Sequence, residues 1–223
     1  RANFDQRVLL HTDDLDWVES PMAGVDRRML DRIGDEVARA TTIVRYAPGS
    51  HFSAHVHSGG EEFIVLDGVF QDEHGDFSAG SYVRNPPESS HTPGSEKGCV
   101  IFVKLWQFDL QDRESVRLRF EDLDLVADPD RSGVQSVTLF RDHREFVRLE
   151  RYAPDTNVDI DAKDGMELLV LDGDLCEAGD SLHRNSWLRC PIGYRAQVRS
   201  GSGGTLVWVK SGHLPYASAP PTC

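Results

Sequence analysis

The sequence predicts an all-β chain built as two tandem barrels, and three observations carry that expectation. Its apolar runs are short, rich in β-branched and aromatic residues, and broken by Gly, Pro and acidic turns. The second half repeats the first in order. RYAPG from Arg45 returns as RYAPD from Arg151, and EEFIVLDG ending at Gly68 returns as MELLVLDG ending at Gly173. SYVRNP returns as SWLRCP, and GCVIFVK ending at Lys104 returns as GTLVWVK ending at Lys210. Self-similarity of this kind implies two copies of one fold. The length, 223 residues, is enough for two domains of ordinary size.

In chain order, residues 1–110 are assigned to the first barrel with its N-terminal segment, 111–130 to a charged connection, and 131–223 to the second barrel. The polar start carries Trp17, which is expected to anchor against a barrel wall. Residues 35–41 have some helical propensity but too short a period, and they read as a turn into the strand 41–46, closed by Pro48-Gly49. After the acidic turn QDEHGD, Asn85-Pro86-Pro87 breaks any helix and carries a loop toward His91. The run 99–108 then has strand length; one of its faces carries Phe102, Lys104 and Trp106, of which the aromatics read as barrel core.

The stretch GSHFSAHVHSGGEEFIVLDG concentrates the chemistry. His55 and His57 lie two apart, so on a strand both imidazoles face the same way, and Ser53 shares that face. Ser58, Gly59 and Gly60 make a turn, and Glu61 opens the next apolar run with the parity of Phe63 and Val65. Two strands joined in this way can aim nitrogen and oxygen donors at one point, and His91 offers a fourth donor. The pair, the glutamate, the bounding glycines Gly49 and Gly68, and the distant histidine agree with one geometry, a metal site.

The spacing G-x5-H-x-H-x3-E-x6-G from Gly49, followed by G-x10-H from Gly80, resembles the two motifs of the cupins. Within them the chain is most similar to the cupin domain of ChrR-like anti-sigma factors. The resemblance implies jelly-roll barrels and the ligand set His55, His57, Glu61 and His91, with the motif's gap to Gly68 selecting Glu61 over Glu62. It implies a regulatory, stress-sensing module that holds zinc, with an extracytoplasmic-function sigma factor as partner. The helical His/Cys zinc domain by which such factors grip sigma has no counterpart before Val25. Related cupins supply the alternative, a small metal-dependent dioxygenase of the diketone-cleaving type, and a plain metal-binding protein is the third reading.

The repeat acts as an internal control on the ligands. Arg45/Arg151, Tyr46/Tyr152 and Asp67/Asp172 persist and read as structural, whereas Met166 and Ala196 stand where Glu61 and His91 do. His55 and His57 fall opposite Asp161 and Lys163 or their neighbours. A thioether and a methyl cannot replace a carboxylate and an imidazole at a borderline cation, so one divalent transition metal per chain is expected, in the first half. By donor type zinc, Fe(II), Mn, Ni and Cu are all suited.

Charge and cysteines bound the remaining possibilities. With 37 acidic and 24 basic residues the net charge is −13, which disfavours binding to phosphate backbones. No apolar window is long enough to span a bilayer, and no signal peptide is visible. Cys99, Cys176, Cys190 and Cys223 form no C-x-x-C pair, which fits a reducing cytoplasm; the terminal Cys223 is expected to be exposed. Pairing into a homodimer through the ligand-free barrel is also expected.

Overall fold

A computed structural model describes residues 1–35 and 37–221. Cys223 therefore lies outside the described residues, as does part of the turn expected at 35–41. The chain is nearly all strand, with only three short 3-10 turns and no α-helix among the described residues. Among the described residues no helix is long and apolar enough to cross a membrane.

The chain divides into two compact units. Residues 16–122 form the body of the first, and residues 3–15 with 123–217 form the second. In the first, an antiparallel sheet runs in the order Val116–Arg119, Ser81–Asn85, Glu61–Asp72, Cys99–Leu105, Ala38–Tyr46, Val25–Gly34, Val18–Glu19. A separate two-stranded ribbon pairs His55–His57 with Ser89–His91. The second unit repeats this plan, in the order Val8–His11, Ser186–Cys190, Met166–Glu177, Tyr194–Ser211, Phe146–Tyr152, Val134–Arg141, Val126–Ala127. These are jelly-roll sheets, whose strands alternate an inward apolar and an outward position.

Two expectations about the ends of the units change. Residues 3–15, counted with the first barrel, group with the second, because Val8–His11 pairs with Ser186–Arg189 as an edge strand and Arg7 binds Glu177 and Asp180. Trp17 does lie in the first unit, with the guanidinium groups of Arg28 and Arg45 over its ring. The charged connection is also no free linker: Val116–Arg119 adds to the first sheet and Val126–Ala127 to the second.

Each unit has its own apolar core. In the first it gathers Val44, Phe63, Val65, Phe70, Val83, Ile101 and Val103. In the second it is larger and includes Ile160, Ala162, Met166 and Ala196. The second unit also buries a carboxylate. Glu150 accepts hydrogen bonds from Arg131, Arg148 and the Tyr152 hydroxyl at 2.7 Å each. Burial opposes its charge, but these partners outweigh burial and hold its pKa below the ordinary carboxylate value. Glu150→Ala leaves two guanidinium groups without their shared anion, and chemical denaturation should show a loss of about 3 kcal/mol or more. A loss within experimental error would show that the network contributes nothing.

Candidate metal centre

The ribbon brings the predicted donors together. His55 and His91 are directly opposite in its register, and His57 is opposite Ser89, so all three imidazoles share one face with Ser89. Their nearest nitrogens lie within 4.8 Å of one another. His57 Nε2 is 2.9 Å from His91 Nε2. Glu61, which opens the neighbouring strand, places Oε2 at 3.4 Å from His57 Nε2 and 3.6 Å from His91 Nε2. His57, His91 and Glu61 are buried, and His55 stands at the exposed edge.

The choice between the adjacent glutamates has a structural basis. Glu61 shares its face with Phe63 and Val65 in the core, and its Oε2 accepts from Asn85 Nδ2 at 3.3 Å. Glu62 points to the other face, where its Oε1 accepts from the Tyr82 hydroxyl at 2.8 Å. The hydrogen bonds also set the imidazole tautomers. His91 Nδ1 donates to Asp72 Oδ2 at 3.1 Å, and His55 Nδ1 donates to the Ser53 carbonyl at 3.2 Å. Both acceptors lack a proton to give, so each ring presents its Nε2 lone pair to the cluster. Three imidazole nitrogens and a carboxylate oxygen converging in this way fit a divalent transition ion.

Electrostatics act unequally on the buried pair. Burial pushes His57 below the ordinary histidine pKa, partly offset by Glu61. Burial pushes His91 the same way, but the Asp72 hydrogen bond and the Glu61 charge prevail and raise it. Asp72 is held below the usual carboxylate range, with burial outweighed by His91 and by the backbone N–H of His74.

The turn between the donors is clamped from behind. A Cβ on Gly59 would come within 2.0 Å of the Trp106 ring, and one on Gly60 within 2.5 Å of Phe108. Gly60 also has φ +76°, which glycine tolerates. Trp106 itself adopts φ +58°, an unusual backbone for so bulky a residue, and its N–H donates to the Gly60 carbonyl. In the second unit Gly212 makes the corresponding bond to Gly165. Phe102 is buried, and Lys104 is buried with its ammonium on Thr41 Oγ1, so that face of the strand turns away from the donors.

The sequence did not single out Asp72, it read Asn85 only as part of a helix-breaking loop, and it read Trp106 as barrel core, whereas Trp106 is half-buried and packs on Gly59. A signal existed for two of them: Asn85 aligns with Cys190, and Trp106 with Gly212, so both differ between the halves as the ligands do.

The second unit fixes one alignment that the sequence left open and keeps the conclusion drawn from it. Ile160 is opposite Ala196, as His55 is opposite His91, and Ala162 is opposite Tyr194, as His57 is opposite Ser89. The residues in place of His55 and His57 are thus Ile160 and Ala162, the immediate neighbours of Asp161 and Lys163. The equal turns fix this, since Gly60 and Gly165 share φ +76° immediately before Glu61 and Met166. An isoleucine, two alanines and a methionine offer no donor set for such an ion.

Residues 5–109 match the family model described as the ChrR cupin-like domain. That segment resembles the ChrR cupin-like domain. No curated protein matches it. Among solved structures it is similar to a putative dioxygenase from Nostoc punctiforme, at 14% identity over 98% of this chain and 87% of that one, with TM-score 0.79. A putative glyoxylate-induced protein from Pseudomonas aeruginosa matches at 13% identity over 100% and 93%, with TM-score 0.69. The bacterial pirin YhhW from Escherichia coli, in complex with nickel(II), matches at 16% identity over 92% and 98%, with TM-score 0.62. At such identities the likeness is one of fold.

Replacing a donor should empty the site. His57→Ala or His91→Ala is expected to abolish metal retention on dialysis, with Glu62→Gln as a control that retains it; the reverse pattern for Glu61 and Glu62 would contradict the geometry. Metal affinity should also fall as pH drops, starting above the ordinary histidine pKa because His91 holds its proton more tightly there. Competition titrations with a chelator across pH would measure this, and a flat profile would argue against histidine donors.

Proposed function

We propose that this chain is a metal-dependent regulatory cupin, a stress-sensing module of the ChrR type, with zinc held by His55, His57, Glu61 and His91. The observation that carries the reading is the convergence of these donors within the segment that matches the ChrR cupin-like model. Four protein donors suit zinc in a closed, signalling role. An extracytoplasmic-function sigma factor is the partner proposed, acting in the cytoplasm, with self-association through the ligand-free unit as a further proposal.

The exposed position of His55 favours a second reading, a metal-dependent dioxygenase. An ion reached from solvent can bind water, dioxygen or a substrate. Two measurements separate the readings. The protein is reconstituted with Zn(II) or, anaerobically, with Fe(II); sigma-factor capture and oxygen uptake with small phenols and diketones are then followed. The regulatory reading expects zinc-dependent capture of a sigma factor and no oxygen uptake. Metal-dependent uptake abolished by His91→Ala would overturn it in favour of the dioxygenase.

A further inference from the structure

One row of side chains crosses the outer face of each sheet, and the two rows differ in charge. In the second unit the strand register aligns Ala127, Gln135, Arg151, Leu206 and Asp172 across five strands. In the first unit the corresponding row is Glu19, Asp26, Arg45, Val100 and Asp67. The arginine and the last aspartate are common to both. The two acids on the near side of the arginine, Glu19 and Asp26, become an alanine and a glutamine in the second unit.

The first unit satisfies its arginine from its own chain. Arg45 donates to Asp26 Oδ2 through Nη2 at 2.7 Å and through Nε at 3.2 Å. The Trp17 ring lies 4.4 Å from the guanidinium carbon and covers its face. The second unit supplies neither partner. Trp17 immediately precedes the strand Val18–Glu19, and Leu125 immediately precedes the matching strand Val126–Ala127, so an aliphatic side chain stands in place of the indole. Arg151 has no hydrogen bond, ion pair or ring contact from its side chain among the described residues, and neither do Gln135 and Asp172.

A cavity opens where those partners are missing. Its volume is about 520 Å³, and all five residues of the row line it, together with Gly203 and Gly204. Arg151 is exposed and Leu206, beside it in register, is half-buried, so the cavity offers a guanidinium next to an apolar floor. Gln135 adds a neutral amide donor on the other side of Arg151. Asp172 lies two strands from Arg151, beyond Leu206. Asp67 holds that place in the first unit without keeping the Asp26 carboxylate off Arg45. An exposed arginine is ordinary; one that has lost both its acid and its aromatic partner, and lines a cavity, is not.

We propose that this cavity in the second unit binds a small molecule carrying a carboxylate on a planar aromatic ring. The carboxylate takes the place of Asp26 on the guanidinium, with Gln135 as a second donor, and the ring takes the place of Trp17 over it. The cavity lies wholly within the unit that lacks the metal donors, so the proposal goes beyond the metal reading and does not depend on it.

The test titrates the full chain with 2-naphthoate by calorimetry. Wild type and His57→Ala are expected to bind it equally. Arg151→Gln should bind it about tenfold or more weakly, the range for lost charge-assisted hydrogen bonds. Leu125→Trp combined with Gln135→Asp returns the partners of the first unit to the second and should also block binding, with the circular dichroism spectrum unchanged. Uncharged 2-naphthol and non-planar cyclohexanecarboxylate should each bind wild type more weakly than 2-naphthoate. Failure of wild type to bind, binding at wild-type strength by Arg151→Gln or the double variant, loss of binding in His57→Ala, or equal binding of either control ligand would each overturn the proposal.

Discussion

The rest of the first unit depends on the crowding of basic lone pairs at one point. His57 and His91 face each other nitrogen to nitrogen at 2.9 Å, with the Glu61 carboxylate close to both. Asp72 occupies the Nδ1 proton of His91, and the Ser53 carbonyl that of His55, so the tautomers turn lone pairs inward. Such an arrangement is favourable around a cation or a shared proton and unfavourable otherwise. The elements nearby serve to hold it. Asn85 steadies Glu61, and Trp106 and Phe108 press on the two glycines that let the donor strands meet.

The second unit shows what the same plan becomes without that demand. Its ribbon keeps the register and its turn keeps the backbone, but the donor positions hold Ile160, Ala162, Met166 and Ala196, all within the apolar core. Gly212 takes the place of Trp106, so the unusual backbone conformation there no longer involves a large side chain. Polar groups at this end of the barrel are paired, with Tyr194 on Glu177 and Glu177 on Arg7. The contrast is between a site that keeps reactive groups exposed to a ligand and a core that closes over itself.

Much of this was legible in the sequence because it is local. Alternation along strands, the turn glycines and the two-apart histidines depend on residues close in the chain, so the strands, the repeat and the shared face of His55 and His57 could be read directly, while the full set with Glu61 and His91 came from the resemblance to the cupin motifs. What could not be read depends on distant pairing. Val8–His11 is apolar enough for a strand, but nothing local says that its partner is Ser186–Arg189. Asp72 reaches His91, and Trp106 reaches Gly59, only through the folded sheet. The counterparts of His55 and His57 stayed open between Asp161 and Lys163 and their neighbours, because a one-residue slip exchanges inward and outward faces; the strand register selects Ile160 and Ala162.

The central claim is that these four side chains surround one ion and that the second barrel holds none. Anomalous X-ray scattering from crystals of the metal-loaded protein, collected on either side of the zinc absorption edge, tests it most directly. The account predicts a single peak per chain, within bonding distance of the Nε2 atoms of His55, His57 and His91 and of a Glu61 oxygen. A peak in the second barrel, or a loaded ion bound elsewhere with the triad bare, would contradict it.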